Sequence, residues 1–195
     1  MRGLGTDSVW IFGGDYRFEG GLRLQQRTAE LAALLLYLRE RRPRGAYLEI
    51  GTASGGTTRL IHEYLRPEQI LSIDDGEHPN SHLQETNLVG IPNLLRHVGD
   101  SRAEAAREFI AANLSSPLAV ALIDGDHSYA GIISDTRLAL SFARPGTLLV
   151  FHDTVAVSDV RRHWEASVSA GAFVPVAQFV DDGPAALGIG VGEVQ

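Results

Sequence analysis

The sequence predicts an α/β fold: a doubly wound, mostly parallel sheet of seven strands with an antiparallel hairpin at its edge. Three observations carry this. Short apolar runs alternate with segments of helical period in the order βαβαβαβαβαββ, the pattern of a parallel sheet covered on both faces. Leu118 to Ile123 is apolar throughout, as a strand buried on both sides must be. Finally, the runs stop abruptly at glycines, acids or histidine: Gly51, Asp74, Gly99-Asp100, Asp124 and His152-Asp153. Ligands of open parallel sheets bind beyond such strand ends.

Residues 1–26 have no strong period. Trp10, Phe12, Tyr16 and Phe18 are broken by glycine pairs, which predicts an arm packed on the core or covering the site. Residues 27–195 form the single expected domain. Leu31, Leu34, Leu35 and Leu38 follow the i, i+3, i+4, i+7 rule, so Arg27 to Arg41 is a helix ended by Pro43. The basic run Arg39, Arg41, Arg42 and Arg44 reads as its solvated end. Strand one is Ala46 to Ile50. A glycine-rich turn follows, then a helix from Thr57 to Tyr64 and strand two from Gln69 to Ile73.

His82 to Val89 predicts a short helix, and Leu94 to Val98 the third strand. Ser101 is placed to cap a helix over Arg102 to Asn113, with Ala106, Phe109 and Ile110 facing inward. Strand four, Leu118 to Ile123, precedes a helix reaching about Ala143. Strand five is Thr147 to Phe151, and Asp159 to Ala170 is the last helix. Phe173 to Val180 and Ala186 to Val191 read as the hairpin, joined by the turn Asp181-Asp182-Gly183-Pro184.

Composition narrows the function. The 195 residues carry a net charge of −7, against the basic footprint that nucleic-acid binding needs and against an anionic membrane surface. There is no cysteine, which excludes disulfides, thiolate metal sites and thiol catalysis. No apolar run is long enough to span a membrane, and the first residues lack a signal peptide's apolar core. The cytoplasm is the expected location and a homodimer the default assembly.

Two constellations carry chemistry. The first is Glu49-x-Gly51-x-Ala53-x-Gly55-Gly56-Thr57, a strand–turn–helix junction where backbone closely approaches a nucleotide-like ligand. Glu49 would repel a pyrophosphate, which argues against a dinucleotide. Asp74, about 20 residues further on, is placed to accept hydrogen bonds from ribose hydroxyls. The second constellation is Asp124, Asp126-His127 and His152-Asp153, at the ends of two strands expected to be neighbours. Carboxylates and imidazole converging there suit a divalent metal ion.

The first motif resembles motif I of class I S-adenosylmethionine-dependent methyltransferases, with alanine at the middle glycine. The segments Leu122 to Tyr129, Arg144-Pro145-Gly146 and Phe151 to Thr154 resemble the macrocin O-methyltransferase and cephalosporin hydroxylase group, and more distantly the catechol-type O-methyltransferases. That resemblance implies a Rossmann-like methyltransferase fold with S-adenosylmethionine held by Glu49, Gly51, Thr52, Ala53, Ser54, Gly55, Thr57 and Asp124. It places Asp100 and Ser101 on the adenine side, and makes Asp124, His152 and Asp153 the metal ligands. His152 departs from the carboxylate usual in those families and favours Mn²⁺ over Mg²⁺.

The implied reaction is methyl transfer to a small-molecule hydroxyl with help from a divalent ion. Asp126, as in the macrocin-like enzymes, or His127, as in the catechol-type ones, is the general base. The alternatives are a metal-dependent hydrolase, a nicotinamide oxidoreductase and a non-catalytic S-adenosylmethionine-binding subunit.

Overall fold

The computed structural model describes residues 26–183 and 185–195. The expected N-terminal arm therefore lies outside the described residues, apart from Gln26. The elements run α1 (Thr28–Arg41), β1 (Ala46–Ile50), α2 (Gly56–Leu65), β2 (Gln69–Asp74), a 3₁₀ turn (Ser81–Leu83) leading into α3 (Gln84–Asn87), β3 (Leu94–Val98), α4 (Glu104–Asn113), β4 (Leu118–Ile123), α5 (Tyr129–Leu140), β5 (Leu148–His152), α6 (Ser158–Ser169), β6 (Val174–Phe179) and β7 (Ile189–Glu193).

The seven strands lie in the order β3-β2-β1-β4-β5-β7-β6. All pairs from β3 to β5 are parallel. β7 runs antiparallel to both β5 and β6, so the expected hairpin enters the sheet through its second strand and leaves β6 at the edge. The strand order reverses between β1 and β4, which opens a crevice over their carboxyl ends.

Alternation along the strands builds one core on each face. Tyr47, Val120, Leu122, Leu148 and Val150 pack with Leu31, Leu34, Leu38 and Ile61 from α1 and α2. Leu48, Ile50, Ala121, Ile123, Leu149 and Phe151 pack with Ala106, Ile110, Ile132, Val160 and Trp164 from α4, α5 and α6. No helix among the described residues is long and apolar enough to cross a membrane.

Two local expectations are corrected. α4 begins at Glu104 with Ala103 as its N-cap and no side-chain cap; Ser101 donates instead to Asp135 Oδ1 at 2.6 Å. The hairpin connection is longer than a turn, because β7 starts at Ile189. Glu30 of α1, buried, fixes that loop by accepting from the N–H groups of Asp181, Leu187 and Gly188.

Candidate active site

A cleft of about 800 Å³ opens at the carboxyl ends of β1, β2, β4 and β5. Its floor is the turn after β1. Gly51 has φ +88°, and a Cβ there would lie 2.1 Å from the Asp124 carbonyl oxygen, so only glycine lets β1 turn against the end of β4. Ala53 follows with φ 45°, a left-handed conformation that L-residues rarely adopt.

Asp74 holds this turn. Its Oδ2 accepts from the N–H groups of Thr52 and Ala53, at 2.9 and 2.8 Å. Its Oδ1 accepts from Gly76 N–H, Gln84 Nε2 and Ser81 Oγ. Five protein donors leave this carboxylate, only 8% exposed, little capacity for ribose hydroxyls. Asp74 also lines the cleft, so the carboxylate expected to face the ribose holds the turn as well. Its neighbour Asp75 is exposed and lines the same cleft.

Two motif residues stand behind the cleft wall rather than in it. Glu49 is 1% exposed and accepts from the Tyr47 hydroxyl at 2.8 Å. Burial pushes its carboxyl up to about 8, although the Tyr47 bond pulls the other way. Glu49 stands behind the residues that line the cleft. Gly55, the left-handed residue before α2, has Leu88 where its Cβ would go, which makes its reason packing rather than ligand approach. Gly51, Thr52, Ala53, Ser54 and Thr57 do line the cleft. α2 begins there with no side-chain cap, so the N–H groups of its first turn face ligand or water.

At the other end of the cleft the second constellation comes together. Asp124 Oδ1 lies 3.0 Å from His152 Nδ1 and 3.3 Å from His127 Nε2. Asp153 Oδ2 lies 3.4 Å from His152 Nδ1 and 3.5 Å from His127 Nε2. Gln26 Nε2 donates to the remaining Asp124 oxygen at 3.0 Å. Asp153 is held at φ 61°, a strained backbone of the kind that gathers at functional sites. Burial works against charge on Asp124, but the His152 charge and the bonds from both histidines outweigh it and hold the carboxyl below the ordinary range. Burial likewise opposes charge on His152, and the Asp124 charge and bonds raise it well above the usual imidazole value. The Asp124 bond is the largest influence on His127, which is also raised.

One donor atom each from Asp124, His152 and Asp153 lies within 4.8 Å of the others. Asp153 Oδ1 is buried without a partner. Two carboxylates and an imidazole around one point, with an unsatisfied buried oxygen, fit a divalent ion.

A family model described as a methyltransferase domain matches residues 48–154, the stretch from β1 through both constellations. The chain belongs to this methyltransferase-domain family. Its fold is similar to that of an O-methyltransferase from Bacillus cereus in complex with S-adenosylhomocysteine (TM-score 0.68, 18% identity, 87% of this chain and 82% of that one). It is similar also to the O-methyltransferase TomG from Streptomyces achromogenes, involved in tomaymycin synthesis and bound to S-adenosylmethionine (TM-score 0.69, 21% identity, 87% and 81%). A TDP-rhamnose 3′-O-methyltransferase of calicheamicin biosynthesis shares the fold as well (TM-score 0.61, 18% identity, 88% and 81%). In sequence, the chain is 27% identical over 113 residues to an uncharacterised protein of Acanthamoeba polyphaga mimivirus, spanning 55% of this chain and about half the length of that relative.

Within this methyltransferase the two candidate bases are set apart. Asp126 Oδ1 accepts from Ser128 N–H and its Oδ2 from Arg102, with the carboxylate packed on Gly131 of α5. It belongs to the rim near Asp100, which pairs with the same Arg102 at 2.9 Å. His127 alone of the two reaches the Asp124–Asp153 cluster. Asp100 and Ser101 line the cleft on the β3 side, where the resemblance puts adenine.

Several residues here carried no signal in the sequence. Gln26 looked like the end of an unpatterned arm. Arg102 read as a helix residue, yet it ties together the loops after β3 and β4. Asp135 of α5, to which the sequence assigned no role, is fully buried and takes the Ser101 hydroxyl. Burial pushes its carboxyl up to about 6, against that bond.

Proposed function

We propose that this methyltransferase carries the methyl group of S-adenosylmethionine to a hydroxyl oxygen of a small molecule, assisted by a divalent ion at Asp124, His152 and Asp153. The observation that supports it is one cleft of about 800 Å³ with the glycine turn and open α2 N-terminus at one end and the Asp–His cluster at the other. That volume, near the upper end of ligand pockets of about 300–1,000 Å³, suits two ligands side by side. The net charge of −7 favours a small acceptor over a nucleic acid. Relatives of this fold that act in tomaymycin synthesis or on TDP-rhamnose support the same acceptor class.

When bound, S-adenosylmethionine supplies a sulfonium-activated methyl group and leaves as the thioether. The backbone from Gly51 to Thr57 cradles it. Asp75, exposed beside the Asp74-held turn, offers a carboxylate to its ribose, with Asp100 and Ser101 on the adenine side. Asp124, His152 and Asp153 would hold a divalent ion, which would supply Lewis acidity toward the acceptor hydroxyl, and the imidazole among them favours Mn²⁺ over Mg²⁺. With the Asp124 and Asp153 oxygens that face it drawn to a divalent ion, His127 Nε2, on the half-exposed member of the cluster, would be free to take the acceptor's proton. Gln26 and the buried walls orient the acceptor and exclude water.

The test is a screen of sugar and phenolic hydroxyl acceptors with S-adenosylmethionine and Mn²⁺, reading S-adenosylhomocysteine and methylated product by mass spectrometry. Metal-stimulated product that His127→Ala abolishes is expected. Cofactor binding with no product across the panel would point instead to a non-catalytic binding subunit.

A further inference from the structure

A second cavity, of about 290 Å³, opens at the opposite end of the sheet, where α1 and α2 finish and β1 and β4 begin. Leu38, Ile61, Leu65 and Val120 give it an apolar interior. Its rim carries Arg39, Arg42, Arg44 and Arg66 against one carboxylate, Glu68.

None of these four arginines has a carboxylate partner among the described residues. Arg27, Arg41, Arg59, Arg102 and Arg107 each have one. Arg41, from the same helix end, leaves the rim to pair with Glu193 and lie over Tyr37.

A solvated helix end accounts for the sign of these charges. It does not account for the backbone. Arg42 ends α1 at φ 49°, ψ 52°, and Arg66 ends α2 at φ 51°, ψ 58°. Both are left-handed positions where glycine is the favoured residue and which other L-residues rarely adopt. Two helices thus each keep an arginine at a left-handed end position, and both residues line one apolar hole.

From this we infer a binding site for a small organic anion, a carboxylate or phosphate carried on an aromatic or branched apolar body. Guanidinium forks match both anions. The cavity is at the small end of ligand pockets, about 300 Å³, so it takes a compact body. The arginines stand out locally on a chain of net charge −7, which favours a small anion over a polyanion. The site is separate from the catalytic cleft and does not depend on the proposed reaction.

The test is NMR titration of the full chain with 4-phenylbutyrate, with phenyl phosphate, and with the neutral 4-phenylbutyramide. The two anions distinguish carboxylate from phosphate preference. Saturable shifts are expected at Leu38, Ile61 and Val120, with the neutral compound about tenfold weaker, a difference of about 1.4 kcal/mol. The double variant Arg42→Gly/Arg66→Gly should weaken the anion about tenfold by the same measure, yet keep or raise the melting temperature, because glycine relieves both backbones. Raised salt should weaken binding too. The inference is overturned if neither anion saturates in the millimolar range, if the neutral analogue binds equally, if only cleft signals shift, or if the double variant binds as well as the parent.

Discussion

Gln26 Nε2 donates to Asp124 Oδ2 at 3.0 Å, across 98 residues of sequence. A residue two positions before α1 therefore fixes the orientation of the carboxylate at the centre of the site. Arg27 and Glu30 hold the β6–β7 loop from the same helix start. That loop brings Leu187 to the cleft. A hydrogen bond to a charged group is worth about 1.5–3 kcal/mol. Gln26→Ala should lower kcat/KM for the acceptor by about tenfold, the smaller end of that range. S-adenosylmethionine affinity should be unchanged by titration calorimetry. An equal loss of cofactor affinity would contradict a role confined to the metal and acceptor end.

Asp74 and Asp75 should separate cleanly. Asp74→Ala removes the acceptor for five donors and is expected to destabilise the fold by about 2–4 kcal/mol, since buried donors are left unpaired. Chemical denaturation reads this directly. Asp75→Ala should leave stability within about 0.5 kcal/mol, as exposed substitutions do, and weaken cofactor binding. The reverse pattern would place the ribose role on Asp74.

Glu49 sets a pH dependence of stability. Its carboxyl titrates near 8 in the fold and near 4.3 when unfolded. Between those values the folded state binds the extra proton, so stability is greatest below the unfolded value and falls as pH rises through about 8. The full effect is on the order of 5 kcal/mol. Glu49→Gln mimics the protonated acid and should flatten the decline between pH 5 and pH 8 in denaturation curves. A parallel decline in parent and variant would place the origin elsewhere.

His127 and Asp126 divide the expected base between them. His127→Ala should lower kcat by about 10²–10⁴, the usual worth of general base catalysis, with cofactor affinity retained. Asp126→Asn should cost far less, because its contacts are with Ser128 and Arg102. Single-turnover kinetics decides, and a larger loss in the Asp126 variant would reverse the assignment.

Much of this was legible in the chain itself. The leucine spacing of α1, the apolar β4 and the abrupt strand ends are local patterns, and local patterns carry fold class and cleft position. What the sequence concealed depends on contacts between distant segments. Glu49 and Asp74 both look like ligand-facing acids at strand ends. One is enclosed by Tyr47 and the core, and the other is consumed by Gln84, Ser81 and the glycine turn. Ser101 resembles a helix cap because serine favours that position, but the buried carboxylate of Asp135 competes for its hydroxyl. The arginine run after α1 announced a helix end, while the left-handed backbone of Arg42 and its meeting with Arg66 at one cavity emerge only when two helix ends come together.

Titration calorimetry with S-adenosylmethionine and S-adenosylhomocysteine, in EDTA and again in Mn²⁺ or Mg²⁺, tests the central claim most directly. Micromolar binding of both is predicted, weakened in Asp75→Ala, together with separate Mn²⁺ binding that Asp153→Ala removes. No binding of either compound under any metal condition would contradict the account of the cleft. Binding that proceeds with no metal uptake at Asp124, His152 and Asp153 would remove the ion from the mechanism.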